Sequence, residues 1–150
     1  MNRASIASIG LAAAIAVSAV LSTAAARQES QPPAKPASPS GWTLPPNADE
    51  LKNPHTADDK LLASGKAIYK DKCQKCHGPG GLGDGPDADP DHQEEMDLTN
   101  PKRAARNSDG VVFHKVSNGR RRPKMPAFKE ELSEDQIWAV VAYTQTLRKK

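Results

Sequence analysis

Residues 73–77 read Cys73-Gln74-Lys75-Cys76-His77, so two cysteines are separated by two residues and a histidine follows directly. This spacing is typical of the attachment motif of a c-type haem. One helical turn can place both sulfurs along one porphyrin edge, where each thiol forms a thioether with a vinyl group. The imidazole of His77 then lies beneath the iron and can ligate it. The motif predicts one covalent haem c, held by Cys73 and Cys76, with His77 as an axial ligand.

Three other uses of a Cys-x-x-Cys pair stay open at this point. A redox dithiol normally lies in a β-α-β context, and no strand pattern flanks residues 73–77. A closed structural zinc site needs four ligands, usually with a second Cys or His pair, and the chain has only two cysteines. A structural disulfide is the third alternative. Covalent haem is the favoured prediction.

The order of several further stretches resembles a class I, single-haem bacterial cytochrome c. The resemblance covers about residues 57–148 and implies an all-α fold, with three to four helices around one covalent haem, long loops, and crossed N- and C-terminal helices. In this family the two helices cross at a glycine with an aromatic residue nearby, so Gly65 and Tyr69 would meet Val140 and Tyr143. The stretches are Gly65-Lys66-Ala67-Ile68-Tyr69, CQKCHGPGGLGDGP at 73–86, Pro123-Lys124-Met125-Pro126-Ala127-Phe128, and IWAVVAYTQTL at 137–147.

The first 26 residues have the pattern of a secretory signal peptide. Arg3 supplies the positive start, residues 6–21 are an apolar, alanine-rich run, and Ala24-Ala25-Ala26 fits a small-residue cleavage site. An uncleaved N-terminal anchor is the alternative, although the run is short for a span of about 20 apolar residues. The pattern predicts a periplasmic or exported protein, which agrees with the resemblance, because bacteria attach haem c outside the cytoplasm.

Residues 27–56 are predicted to be a Pro-rich linker. Seven prolines interrupt helix and central strand alike, and an extended or disordered segment is expected. Trp42 and Leu44 are apolar exceptions, expected either to fold back against the domain near the haem or to be incidental. The cytochrome c domain itself is predicted at residues 57–150. Capping patterns place its helices from Thr56 to about Lys72, from Ser108 to about Ser117, and from Ser133 to about Leu147.

Met125 is the predicted second axial ligand of the haem iron. It lies between Pro123 and Pro126, and the two prolines stiffen an extended loop that presents one side chain. A thioether in this position raises the reduction potential compared with a second histidine. An open sixth position is an alternative, and so are the side chains of His92, Met96 and His114. Three of the residues that could compete with Met125, namely Met96, His114 and His55, are expected at the surface instead.

The resemblance also implies residues around the haem. The carbonyl of Pro86 would accept a hydrogen bond from Nδ1 of His77 and fix its ring, with Pro79 as a competitor. Tyr69 and Trp138 are expected at the haem pocket, with the helix crossing as an alternative position for Trp138.

The charges are segregated along the chain, although the net charge is only +3. Residues 84–97 hold seven acids and no Lys or Arg, whereas residues 102–129 hold nine Lys or Arg and one Asp. The near balance of the two signs does not favour nucleic-acid binding. The basic strip around Met125 predicts docking of an acidic redox partner, with a solvated basic loop as the alternative. The expected docking residues are Arg120, Arg121, Arg122 and Lys124.

These patterns predict an electron carrier and not an enzyme, because two protein side chains would fill both axial positions. The chain would shuttle single electrons between respiratory or dehydrogenase partners. One alternative is a cytochrome c subunit of a larger membrane oxidoreductase complex. A haem sensor or enzyme with a labile sixth ligand and an exported thiol protein without haem are the others. Membrane contact is expected only through a partner complex or an uncleaved anchor.

Overall fold

The computed structural model describes residues 41–148 of the chain. The predicted signal peptide and the first part of the Pro-rich segment lie outside the described residues. Regular structure within residues 41–148 is helical, with two isolated β-bridges joining loops. The predicted all-α class is therefore confirmed. The helices are α1 Asp59–Ile68, α2 Gln74–His77, α3 Gln93–Met96, α4 Pro101–Ala104, α5 Asp109–Asn118 and α6 Glu134–Thr146; a π-helical turn, Tyr69–Cys73, joins α1 to α2, and a 3-10 turn, Pro90–His92, precedes α3.

Helix α1 differs from its prediction at both ends. The predicted N-cap, Thr56, is wrong, because the carboxylate of Asp58 accepts a hydrogen bond from the backbone N–H of Leu61 at 2.8 Å. Asp58 therefore caps the orphan donors of the first turn, and its charge suits the positive end of the helix. The helical path also continues past Lys72 to His77, through the π-helical turn. One nearly continuous helical segment thus carries the whole Cys-x-x-Cys-His motif.

The other two capping predictions are confirmed. Ser108 caps α5 through the backbone N–H of Val111, and Gly119 ends it with a φ of 59°. Ser133 and Gln136 form a capping box at the start of α6, in which each side chain bonds the other's backbone N–H. These caps set where α5 and α6 begin without any help from the rest of the fold.

The crossing of α1 and α6 is centred on Gly65. A Cβ at this position would overlap the carbonyl oxygen of Ala139 and lie 2.9 Å from Cβ of Tyr143. The rings of Tyr69 and Tyr143 lie 5.3 Å apart between centroids, and Val140 is fully buried. The crossed terminal helices of the predicted fold are confirmed, with Ala139 making the closest approach.

Helices α5 and α6 enclose the rest of the core. Phe113 stacks on Trp138, with ring centroids 4.2 Å apart and planes inclined by 21°. The Pro-rich segment contributes as well, since Trp42 and Ala48 are buried. The main buried cluster contains Tyr69, Val116, Phe128, Ile137, Trp138, Val140 and Val141.

Residues 41–53 form a strap that packs against the domain, whereas the composition predicts an extended or disordered segment. The backbone N–H of Gly110 donates to the carbonyl of Leu51 at 3.1 Å, and the amide of Asn53 donates to the carbonyl of Trp138 at 3.0 Å. We call this segment the N-terminal strap. In the part of the chain that the structure describes, no helix is both long enough and apolar enough to cross a membrane.

Candidate functional site

Cys73 ends the π-helical turn that leads into α2, and Cys76 lies within α2. Both thiols are free, so the disulfide alternative is not what the structure shows. Burial raises the pKa of the Cys73 thiol to about 12, and the neighbouring Cys76 thiol and Asp71 carboxylate add to the rise. Burial also raises the pKa of the Cys76 thiol. A redox dithiol uses a thiolate with a lowered pKa, so this environment does not favour that alternative.

The surroundings of the motif do not favour a structural zinc site. Among residues 41–148, no group of three or more His, Cys, Asp or Glu side chains is placed to hold a metal ion. Since a closed zinc site needs four ligands, His77 and the two thiols lack the partners that such a site requires.

His77 is oriented by a backbone carbonyl. Its Nδ1 lies 2.7 Å from the carbonyl oxygen of Met96, and burial lowers the pKa of the imidazole. A neutral ring that donates from Nδ1 keeps the lone pair of Nε2 available to a metal. The backbone N–H of Leu98 donates to the carbonyl of Gly81 at 2.7 Å, which ties the end of α3 to the loop after His77.

The predicted acceptor for His77, the carbonyl of Pro86, is wrong. The backbone N–H of Gly85 donates to the carbonyl of Cys76 at 3.3 Å, and that of Asp87 donates to the carbonyl of Lys75 at 2.8 Å. The loop therefore folds back along α2 and leaves Pro86 exposed. Met96, which the sequence placed at the surface, is buried and supplies the carbonyl in its place.

Met125 lies at the base of a loop whose two ends are held by backbone hydrogen bonds. The backbones of Arg120 and Met125 exchange two hydrogen bonds, each of 2.9 Å, and the peptide bond between Arg122 and Pro123 is cis. The backbone N–H of Phe128 donates to the carbonyl of Val116 at 3.0 Å, and the Phe128 ring is buried. The loop is therefore fixed at both ends, and Met125 is half-buried.

The predicted ligands meet in two adjoining cavities of about 110 and 220 Å³. Cys73, His77 and Met125 line both cavities, and Cys76 lines the larger one. Because six residues line both, the two cavities adjoin, and we call them together the crevice. The residues shared by both parts are Trp42, Cys73, His77, Glu95, Arg120 and Met125.

The crevice fits a haem by the chemistry of its donors. Two free thiols, a neutral imidazole and a thioether line the crevice, as covalent attachment and two axial ligands require. The smaller cavity also holds an excess of cations. Burial lowers the pKa of Lys115 to about 8, and the neighbouring arginines add to the fall. Of the residues that the structure describes, only two acids, Glu95 and Asp97, line this cavity beside four cations, so its negative charge is two carboxylates short of its positive charge. The two carboxylates of a haem would supply that charge. The cations lining this cavity are Arg103, Lys115, Arg120 and Arg148.

The structure removes Arg120 from the predicted docking residues. Its side chain is only 6% exposed and its guanidinium lies 2.6 Å from the Glu95 carboxylate, because the hairpin-like pairing with Met125 turns it inward. Arg121, Arg122 and Lys124 are exposed. These three stay available to a partner, whereas Arg120 belongs to the crevice.

Of the two aromatic residues predicted at the pocket, the structure places only Tyr69 there. It lines the smaller cavity, and its hydroxyl donates to the carbonyl of Gly78 at 2.7 Å. Burial raises the pKa of the phenol, so it stays a donor. Trp138 is not among the residues that line the crevice. It lies two residues before Val140, which does line it, and two residues turn a helix side chain to nearly the opposite face.

The competing axial ligands are mostly engaged elsewhere. His92 lies 2.8 Å from Asp89, and His55 lies 3.0 Å from Asp135. His114 is on α5 and contacts Phe113 edge to face. Among the histidines of residues 41–148, only His77 lines the crevice, but Met96 lines the larger cavity and stays a candidate beside Met125.

Comparisons with known proteins agree with this geometry. Residues 60–143 match the model of the family described as Cytochrome C oxidase, cbb3-type, subunit III. Among solved structures, the chain is similar to one from the Kuenenia stuttgartiensis reducing HAO-like protein complex Kustc0457/Kustc0458, at 30% identity and a TM-score of 0.52, over 64% of this chain and 47% of that one. The chain thus spans about half the length of that protein.

A second similar structure is the KustC0563 c-type cytochrome, at 27% identity and a TM-score of 0.45, over 57% of this chain and 98% of that one. No curated protein matches. The family match covers more than half of the chain and includes His77 and both cysteines. The chain therefore belongs to this cbb3-type cytochrome c family: it is a class I, single-haem c-type cytochrome, and its cofactor is haem c.

Proposed function

We propose that the protein is a periplasmic single-electron carrier with His77 and Met125 as the axial ligands of one haem attached at Cys73 and Cys76. The observation that carries the proposal is that His77 and Met125 line the same two cavities as Cys73. With both axial positions held by side chains, the site offers no place for a substrate. The bound haem supplies one-electron chemistry at its iron.

The polypeptide holds the two iron ligands in position and sets how strongly they bind. The Met96 carbonyl fixes the His77 ring through Nδ1 and makes the imidazole a stronger ligand. The paired backbones of Arg120 and Met125 fix the loop that presents the thioether. This arrangement favours a high reduction potential, because a methionine ligand raises it relative to a second histidine.

Replacing Met125 with alanine is expected to open the sixth position. The reduced holoprotein should then bind carbon monoxide in native buffer, and its reduction potential should fall by on the order of 0.1 V, within the range of about 0.8 V that axial ligands span. Equilibrium titration with carbon monoxide and a potentiometric titration measure the two effects.

Met96→Leu is the matched control, since Met96 is the other methionine that lines the crevice. It should leave both readings near those of the wild type, because the carbonyl that orients His77 is retained. If carbon monoxide bound only to the Met96→Leu protein, Met96 would be the axial ligand. Equally tight binding by the wild type would favour a sensor or an enzyme with a labile sixth ligand.

A second candidate is a subunit of a larger redox assembly. The observation that favours it is the similarity to a chain solved within a reducing HAO-like protein complex. A lasting complex would co-purify with the chain from its native membrane or periplasm in high salt, whereas a free shuttle would elute as a monomer.

The exposed cations beside the Met125 loop fit docking of an acidic redox partner. Arg121, Arg122 and Lys124 are exposed, and Lys72, Lys75 and Lys124 line the larger cavity, which also contains Cys76. Opposite charges speed the encounter and lose this effect as salt rises. This surface is the proposed route for electrons into and out of the crevice.

Reversing two of these charges, in Arg121→Glu with Arg122→Glu, is expected to slow electron transfer to ferricyanide, an anion, by about tenfold at low salt. Stopped-flow mixing over a series of ionic strengths measures the rate. Lys60→Glu with Lys66→Glu makes the same charge change on α1, away from the residues that line the crevice, and should have a much smaller effect. If both double variants slowed electron transfer equally, the basic strip would be a solvated loop and not a docking surface.

A further inference from the structure

Trp42 lies outside the family domain but inside its cofactor site. The family match begins at residue 60, whereas Trp42 lies near the start of the N-terminal strap. Its side chain is nevertheless buried, at 8% exposure, and it lines both cavities together with Cys73, His77 and Met125. A residue from the Pro-rich segment thus forms part of the wall around the predicted iron ligands.

Two cations of the crevice hold the Trp42 ring. The guanidinium carbon of Arg120 lies 4.6 Å from the ring centroid, and Nζ of Lys115 lies 5.0 Å from it. Such contacts become stronger when water is excluded, and both cations lie in the crevice wall. Glu95 pairs with Arg120 at 2.6 Å. The ring is therefore part of a charged cluster in the crevice, beyond its apolar packing.

The strap is also fastened to the domain by residues that do not line the crevice. A Cβ on Gly110 would overlap the carbonyl oxygen of Ala48, so the strap runs directly over the start of α5. The N–H of Gly110 donates to the Leu51 carbonyl at 3.1 Å, and Asn53 donates to the Trp138 carbonyl at 3.0 Å. These contacts fix the strap on α5 and α6, and they hold Trp42 in register with the crevice.

We propose that Trp42 is a positioning residue for the haem: its ring, delivered by the N-terminal strap, holds Lys115 and Arg120 in the crevice wall and keeps water out of the crevice. A water-exposed haem site stabilises the more highly charged oxidised state, and loss of nearby cations does the same. Trp42 would therefore raise the reduction potential of the haem without itself ligating the iron. The inference rests on the haem site alone, and it does not depend on which partner the carrier serves.

The test compares the reduction potentials of holoproteins that carry Trp42→Ala, Trp42→Phe or Leu44→Ala. We expect the potential to fall in Trp42→Ala and to be largely restored in Trp42→Phe, which keeps an aromatic face for the cations. Leu44→Ala is the matched control, since Leu44 lies in the same strap and lines neither cavity. It should leave the potential unchanged, because Trp42 and both cations are retained.

A second measurement of the reduction potential tests whether Trp42 holds Lys115 in the crevice wall. Lys115→Met should lower the potential of the wild type more than that of the Trp42→Ala protein, because the two side chains act together and their effects are not additive. Equal potentials in Trp42→Ala, Leu44→Ala and the wild type would overturn the proposal. So would full additivity of the Trp42 and Lys115 changes.

If Trp42→Ala yields no holoprotein, Trp42→Leu and Trp42→Phe decide the question. A lower potential with leucine and a near-normal one with phenylalanine would support the proposal, whereas equal values would overturn it. Carbon monoxide binding by each reduced variant separates this result from a failure of the axial assignment. A variant that lowers the potential without opening the sixth position leaves Met125 ligation intact.

Discussion

Replacing Cys73 and Cys76 together by serine is expected to abolish covalent haem and, with it, the stable fold of the domain. A hydroxyl cannot replace the thiol in the thioether bond, although it is close to it in size. A group that binds only the native state stabilises that state. Loss of the haem therefore leaves the crevice, which the Tyr69–Cys73 turn, α5 and α6 help to line, without its cofactor. We expect a protein with little cooperative unfolding and a mass equal to the polypeptide alone.

The measurement is the intact mass of protein recovered from the periplasm of a host that matures c-type cytochromes. For the wild type we expect the mass of residues 27–150 plus one haem, which would also test export and cleavage after Ala26. Lys75→Gln is the matched control, since it lies between the two cysteines and keeps both thiols. A wild-type mass without haem would contradict the covalent assignment, and a mass that includes residues 1–26 would support a membrane anchor.

Local patterns predicted the parts of the site that depend on neighbouring residues. The Cys-x-x-Cys-His motif needs only one helical turn to bring its members together, and the Ser133 capping box needs only four residues. Met125 was found from its two flanking prolines, and the structure places it on the same crevice as His77. In each case the geometry is fixed within a few residues, so the sequence carries it directly.

Two errors at the site concern contacts between segments that are distant in sequence. The carbonyl that orients His77 comes from Met96, 19 residues away, and no local pattern distinguishes one backbone carbonyl from another. Arg120 was grouped with its exposed neighbours because the strip is basic throughout, yet its pairing with Met125 turns it towards Glu95, 25 residues back. A basic run gives no sign of which member faces inward. One feature of the sequence indicated the burial of Trp42: it is a large aromatic residue in a segment otherwise poor in apolar residues.

Replacing Gly65 with alanine is expected to destabilise the holoprotein by about 3 kcal/mol, the upper end of the usual cost of overpacking. The added Cβ would overlap the carbonyl oxygen of Ala139 and lie 2.6 Å from its carbonyl carbon. Both atoms belong to the backbone of α6, so no side chain can move aside and the helices must separate. Separation would loosen the contact between Tyr69 and Tyr143 and the wall that Tyr69 gives to the crevice.

The sign of the change in stability distinguishes a close helix crossing from a loose one. In an exposed helix, alanine is more favourable than glycine by about 1 kcal/mol, so a crossing without close contact would make the variant more stable. Denaturant unfolding of the holoprotein, followed by helical circular dichroism and by haem absorbance, gives the free energy of unfolding. Gly80→Ala is the matched control, because the nearest atoms to its added Cβ are side-chain carbons of Leu82 at 3.9 Å, an ordinary contact distance. A stabilised Gly65→Ala protein would mean that α1 and α6 do not cross at this glycine, and the wall of the crevice formed by Tyr69 would then need another support.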